Sequence, residues 1–246
     1  MPRVIASIEA RMGSSRLPGK VLADLAGEPA LTRLLRRLRL AQRLDGIVLA
    51  TTTEAADDAL EEWAEREGVA VYRGSEDDVL GRVTAAQESM ESDVVVEITG
   101  DNVLGDPELI DLAVETFLAN DCDVVTNSVH HSYPNGMEVQ VFTLEALAEV
   151  ARQVHDPVVR EHVSLHFYEH PDRYRIVHLL APRRWARPDY RLVLDYPEDL
   201  VLIAEIYRRL EPLHGDAFGL DEILALLEED PELAAVNRHR EDKPVR

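Results

Sequence analysis

The chain has 246 residues, 47 acidic side chains against 26 basic ones, a formal charge of −21 and one cysteine, Cys122. Such acidity repels polyanions and argues against a nucleic-acid partner, and a lone cysteine excludes a disulfide framework or a cysteine-built zinc site. Apolar residues make up 46%, too many for disorder, and with neither a membrane-length apolar run nor an apolar leader core the expectation is a cytoplasmic protein with no membrane partner.

In chain order, residues 4–8 read as a buried strand, followed by the loop RMGSSRLPGK over residues 11–20. Next comes a helix whose apolar face holds Leu31, Leu34, Leu35, Leu38 and Leu44. Arg33, Arg36, Arg37 and Arg43 fall off that stripe and read as a solvated face. Strands are expected at 47–51, 69–72, 94–98 and 123–127. A helix over 57–66 stops at Gly68, and another opens at Asp106-Pro107 with proline in its first turn. This alternation predicts an α/β fold with a mainly parallel sheet flanked by helices.

The rhythm changes after residue 127. YPNG at 133–136 is a turn signal, and a strand over 137–142 and helices over 144–153 and 158–169 follow. Strands are predicted at 175–180 and 190–194, helices at 197–210 and 220–227, and a loosely held polar tail from about residue 230.

The loop at 11–20 carries the chemistry. Only two of the 26 basic residues are lysines, Lys20 and Lys243. Lys20 ends this loop, with Arg11 and Arg16 before it, while Gly13, Ser14 and Ser15 suit a turn whose N–H groups face an anion. Three cations around such a turn suit a triphosphate, whose oxygens gain charge as the leaving group departs. The spacing from Gly13 to Gly19-Lys20-Val21 is not that of a Walker loop, and no dinucleotide fingerprint is present. Asp101 and Asp195 each close an apolar run, at strand ends where ligands gather in open α/β sheets. Either aspartate alone also reads as a turn or helix cap.

The stretch IEARMGSSRLPGK at 8–20 resembles the opening signature of the acylneuraminate and ulosonate cytidylyltransferases, in particular their SpsF-like branch, named for spore-coat polysaccharide biosynthesis. The likeness continues through ATTT at 50–53, YRGSEDDVL at 72–80, ITGD at 98–101 and Asp106-Pro107. It resumes in YPNG, in REHV at 160–163 and in LDYPED at 194–199. It implies a Rossmann-like nucleotide-diphospho-sugar transferase fold with a small α+β insertion. Residues 1–230 would form one nucleotidyltransferase domain, about 128–190 an acceptor-binding and dimerising insertion, and 231–246 a tail.

By resemblance, the activity is transfer of CMP from CTP to a sugar acid or a phosphate- or phosphonate-type acceptor, releasing pyrophosphate. Arg11, Arg16, Lys20 and Asp101 would be catalytic, and Asp101 with Asp195 would hold Mg2+. The nucleotide would meet Ala10, Arg11, Met12, Gly13, Ser14, Ser15 and Lys20 from the loop. Beyond the loop it would meet Thr52, Gly74, Ser75, Val79 and Arg82, although SEDD at 75–78 is also a plain helix cap and Thr52 a plain strand residue. The acceptor side would use Asn102, Tyr133, Asn135, Glu138, Gln140, Arg160, Glu161 and His162. Departures from the family pattern fall at Glu9, at Asn102-Val103, and at Glu138 and Gln140. Alternatives are a nucleotidyltransferase using GTP or UTP with a sugar phosphate, or a non-catalytic nucleotide-binding homologue. A homodimer is the expected assembly.

Overall fold

The first apolar run becomes strand β1 (Val4–Glu9). After the loop, a short hairpin of β2 (Asp24–Leu25) and β3 (Glu28–Pro29) leads into α1 (Ala30–Leu38). Then follow β4 (Gly46–Thr52), α2 (Asp58–Glu67), β5 (Ala70–Gly74), α3 (Val79–Ser89), β6 (Val94–Thr99) and α4 (Pro107–Ala119). The second half adds β7 (Val124–Thr126), β8 (Gln140–Thr143), α5 (Leu144–Gln153), α6 (Pro157–Glu161), α7 (Leu165–Glu169) and β9 (Ile176–His178). Helices α8 (Pro197–His214), α9 (Leu220–Glu229) and α10 (Pro231–Ala234) close it. This computed structural model describes residues 1–240, so Lys243 lies outside the described residues. Among them, no helix is long and apolar enough to cross a membrane.

Seven strands form one sheet in the order β5-β4-β1-β6-β8-β7-β9. β5, β4, β1 and β6 run parallel, while β8 lies antiparallel to both β6 and β7. The period of two sends alternate side chains to opposite faces. Ala6, Ile8, Leu49, Val96 and Ile98 pack beneath the leucines of α1 in one core. Ile5, Val48, Ala50, Val95 and Phe142 meet Leu80 and Val83 of α3 and Phe167 of α7 in the other. Burial on both faces is why these strands read as continuous apolar runs.

Helix ends follow local chemistry. Asp106 accepts from the N–H groups of Glu108 and Leu109 at the start of α4, and Thr143 from Ala146 at the start of α5. Gly68 closes α2 in the left-handed region, at φ +65°.

Five expectations need correction. The first helix ends at Leu38, so Arg43 and Leu44 lie in the turn before β4 and not on its faces. The tail expected to be loosely held from about residue 230 is packed as far as it is described: Leu233 of α10 is buried, and Asn237, 1% exposed, donates to Arg191 O and to Asp199. The helix expected over 158–169 is two short ones: the chain turns extended at His162, and Ser164, which precedes α7, donates its hydroxyl to the buried Glu97. Residues 190–194 are not a strand; Arg191 makes only an isolated bridge to Asn135. Arg33 and Arg37 do not form a solvated face: they are 1% and 0% exposed. The Arg33 guanidinium pairs with Glu211 of α8 and donates to the carbonyls of Leu25 and Ala26. Arg37 donates to the carbonyls of Gly105, Asp216 and Phe218. The C-terminal helices cover this side of α1, so the two arginines bolt them to the first helix.

The YPNG turn holds the 190–194 segment in place. Asn135 donates to Tyr190 O at 3.0 Å and accepts from Leu192 N–H at 2.7 Å. Gly136 sits at φ +99°, and a Cβ there would lie 2.5 Å from the Leu192 carbonyl carbon. Gly136→Ala therefore combines a strained backbone with a clash against main chain. It should cost about 2 kcal/mol or more, read as a shift in the urea midpoint.

Candidate active site

The chain leaves β1 toward β4 on one side, while β6 lies on the other. Their carboxyl ends therefore flank a crevice, the position where open α/β sheets bind ligands. A cavity of about 640 Å³ opens there, floored by Glu9 and Ala10 of the β1 end and Thr99, Gly100 and Asp101 of the β6 end. Arg11, Gly13, Ser14, Ser15, Arg16 and Lys20 wall one side, Val79 and Arg82 of α3 another, and Glu161, His162 and Asp195 complete it.

The loop is closed on itself. Gly19 N–H donates to Met12 O at 3.1 Å, and Gly19 adopts φ +70°, which glycine reaches at little cost. Met12 N–H donates to Asp57 Oδ1 at 2.6 Å, while the other Asp57 oxygen accepts the Thr52 hydroxyl. Lys20 then opens a short 3-10 turn, Lys20–Leu22, that aims its side chain across the crevice.

There Lys20 Nζ lies 2.6 Å from Asp101 Oδ2 and 2.5 Å from Asp195 Oδ1. The second oxygen of Asp195 meets Arg16 at 2.7 Å and Arg191 at 3.2 Å. Burial opposes the Lys20 ammonium, but the charges of Asp101 and Asp195 outweigh it and hold its pKa above the ordinary value. Burial also opposes the Asp195 carboxylate; Lys20 and then Arg16 overcome it and keep its pKa low. Backbone bonds set the spacing: Leu194 N–H donates to Asp101 O at 3.0 Å. Asp199 accepts from the N–H groups of both Asp195 and Tyr196.

Two carboxylates converging on one cation have the donor chemistry of a hard divalent ion's site. Among the described residues, no group of three or more His, Cys, Asp or Glu is placed to hold a metal. An ion held by this pair would draw its remaining ligands from water and phosphate oxygens, as Mg2+ does at nucleotide sites.

The four residues expected to be catalytic, and both expected metal ligands, line this one cavity. So do Ala10, Gly13, Ser14, Ser15, Val79 and Arg82 of the expected nucleotide contacts, and Glu161 and His162 of the acceptor set. The rest of the expected set lies behind the wall. Met12 and Thr52 pin the loop through Asp57. Gly74 packs beneath the Arg82 side chain, and Ser75 O accepts from Arg82 Nη1 at 2.5 Å. Arg160 pairs with Asp78 and donates to Ala151 O, tying α6 to α3 and α5. Asn102 donates to Glu138, which accepts from Gly136 N–H, and Tyr133 and Asn135 belong to the same buttress. Gln140 faces Ser128 on the sheet. Sequence reasoning passed over Glu9, Val21, Thr99 and Gly100 as wall residues. The available signal was the place of Glu9, Thr99 and Gly100 at strand ends and of Val21 next to Lys20.

Glu9 of the cavity floor and the buried Glu97 share one face of the sheet, two carboxyls in one region. Burial, then the charge of Glu97, pushes the Glu9 pKa well up, with Arg82 opposing. Burial raises Glu97 to about 7, against the hydrogen bond from Ser164. A carboxyl raised in the folded state favours folding fully below its unfolded pKa and loses that advantage as pH climbs to the folded value. For Glu97 the window runs from about 4.5 to about 7. Glu97→Gln keeps an acceptor for Ser164 and removes the ionisation. Its melting temperature should exceed wild type by on the order of 5 °C at pH 8 and by much less at pH 5.

The family profile described as cytidylyltransferase matches residues 5–232. The chain is 34% identical to spore coat polysaccharide biosynthesis protein SpsF of Bacillus subtilis, over 95% of this chain and 98% of the relative. It is 35% identical to an uncharacterized protein of Methanocaldococcus jannaschii, over 99% of this chain and 98% of the other. The solved structure of a cytidylyltransferase from Leptospira borgpetersenii superposes with a TM-score of 0.90 at 28% identity, covering 99% of this chain and all of that one.

Proposed function

This chain belongs to the cytidylyltransferase family, and from that premise we propose that it transfers CMP from CTP to a sugar acid or related acceptor and releases pyrophosphate. The observation that carries the proposal is the crevice itself: Arg11, Arg16 and Lys20 line it together with Asp101 and Asp195, in a chain of net charge −21. Such a surface would repel CTP unless a local cationic wall overcame the field.

In this reading, Arg11 and Arg16 grip phosphate oxygens with their guanidinium forks, and Lys20 supplies a compact, mobile charge. Asp101 and Asp195 would hold Mg2+, which when bound withdraws charge from the phosphate oxygens. The acceptor oxygen attacks the α-phosphorus in line, the bond to the pyrophosphate oxygen breaks, and a hydroxyl acceptor gives up its proton to solvent, whereas an ionised phosphate or phosphonate has none to lose. Positioning and charge neutralisation carry the rate, so no protein nucleophile is needed. Ala10 and Val79 offer an apolar seat in the cavity for the base, with Arg82 beside it. Glu161 and His162 reach the cavity from the segment over 128–190 assigned to the acceptor. The working unit is proposed to span 1–230 and to act in the cytoplasm as a homodimer.

The test is pyrophosphate release with each of the four nucleoside triphosphates and a panel of sugar acids, sugar phosphates and phosphonates. CTP should be preferred, and chelation of divalent ions should stop turnover. Turnover undiminished in excess chelator, or with GTP or UTP in preference to CTP, would refute this reading.

A further inference from the structure

We propose that Lys20 is a resident cation that keeps divalent ions out of the Asp101–Asp195 pair until a triphosphate draws its ammonium away. The inference rests on the reading of this cavity as a triphosphate and metal site, and adds when the ion can enter.

The position is already filled. Lys20 Nζ contacts one oxygen of each aspartate at 2.6 and 2.5 Å, with its side chain only 12% exposed. The other Asp195 oxygen is taken by Arg16 and Arg191, at 2.7 and 3.2 Å. The charges also balance. Lys20, Arg16 and Arg191 face Asp101 and Asp195, and Asp199 backs Arg191 at 3.1 Å. A divalent ion approaching this neutral cluster meets no excess negative charge. To reach both carboxylates it must displace an ammonium that already holds one oxygen of each, and the repulsion between the two cations acts at close range.

A triphosphate alters both conditions. It adds several negative charges at the loop, and its oxygens offer Lys20 and Arg16 new partners. The three cations are not equally able to move. Arg191 is held from behind by Asp199, and Asn237 binds its carbonyl. Lys20 has a flexible four-carbon stem and a single point charge, so it can change partner. Exchange of Lys20 for the ion makes nucleotide and metal binding mutually reinforcing, by an equal factor in each direction.

Mn2+ binding to the nucleotide-free protein tests this, with free ion read by electron paramagnetic resonance and folding checked by circular dichroism. Wild type should take up little ion at about 1 mM, with an unchanged melting temperature. Lys20→Met should bind one ion per chain at least tenfold more tightly than wild type. Lys20→Gln should do the same, in case the methionine variant does not fold, and Lys20→Arg should show no gain. Wild-type binding as tight as that of either neutral variant would overturn the proposal, as would folded neutral variants that gain no affinity. A CTP arm on wild type separates the two readings. Failure of CTP to bind counts against the proposed function, while the nucleotide-free arms alone judge Lys20.

Discussion

Lys20→Ala is expected to lower kcat by about 10²–10³-fold, the scale for removing one preorganised charge or donor from a site of developing negative charge. Lys20 is the loop cation that reaches both carboxylates. Its loss removes a positive charge from where the α-phosphate would carry its transferring bond. The fold should persist, because Asp195 keeps Arg16 and Arg191 and the loop stays closed by Gly19 and Met12. Pyrophosphate release with saturating CTP, alongside a thermal melt, checks both halves. Near-normal kcat in the folded variant would remove Lys20 from transition-state stabilisation. Lys20→Arg should restore little, since a wider planar fork does not follow the phosphate oxygens as a compact, mobile ammonium does.

The second large effect is on stability. Arg33→Ala should cost about 3 kcal/mol, the scale for a cavity left by a large buried side chain together with backbone acceptors that lose their donor, which lowers the melting temperature by roughly 10 °C. The guanidinium is fully enclosed, stacks 4.7 Å from the Tyr207 ring centre, and holds Glu211 Oε2 at 3.0 Å. Truncation leaves Glu211 and the carbonyls of Leu25 and Ala26 without their donor, in addition to a cavity. Arg33→Leu should not rescue the loss, because it fills space and leaves those acceptors unsatisfied. A melting temperature within 2 °C of wild type for Arg33→Ala, a margin set by roughly 1 kcal/mol, would show that this bolt contributes little.

The legible parts of the fold were those with a local cause. Asp106-Pro107 starts a helix whatever surrounds it, and helix α5 falls where the sequence pattern places it, at Leu144–Gln153. The cationic loop and its two aspartates were legible because their residue types and strand-end positions suit one chemistry. What failed had distant causes. Helical periodicity separates the leucines of α1 from its arginines, yet gives no hint that α8 will arrive to cover Arg33. The expected helix stops at His162, and Ser164 beside the break is held by Glu97, 67 positions away. Asn102, Tyr133 and Asn135 have the polar chemistry of substrate contacts, yet Asn135 holds the segment that ends in Asp195, Asn102 donates to Glu138 and Tyr133 is buried. Side-chain type could not separate contact from buttress; the partners that each side chain and backbone group takes in the fold do.

The contacts that join Lys20 to Asp101 and to Asp195 bridge 81 and 175 positions of chain. As the protein is synthesised, β1, β4, β5 and β6 leave the ribosome with the loop already attached, but without the second aspartate. Pairing of nearby parallel strands can precede closure of the far larger loop that ends at Asp195. The nascent chain thus carries a cationic wall facing open solvent until its last third has docked. A chain truncated before residue 195 can keep much of the sheet and hold no complete site, so premature termination yields an inert fragment and not a weakened enzyme.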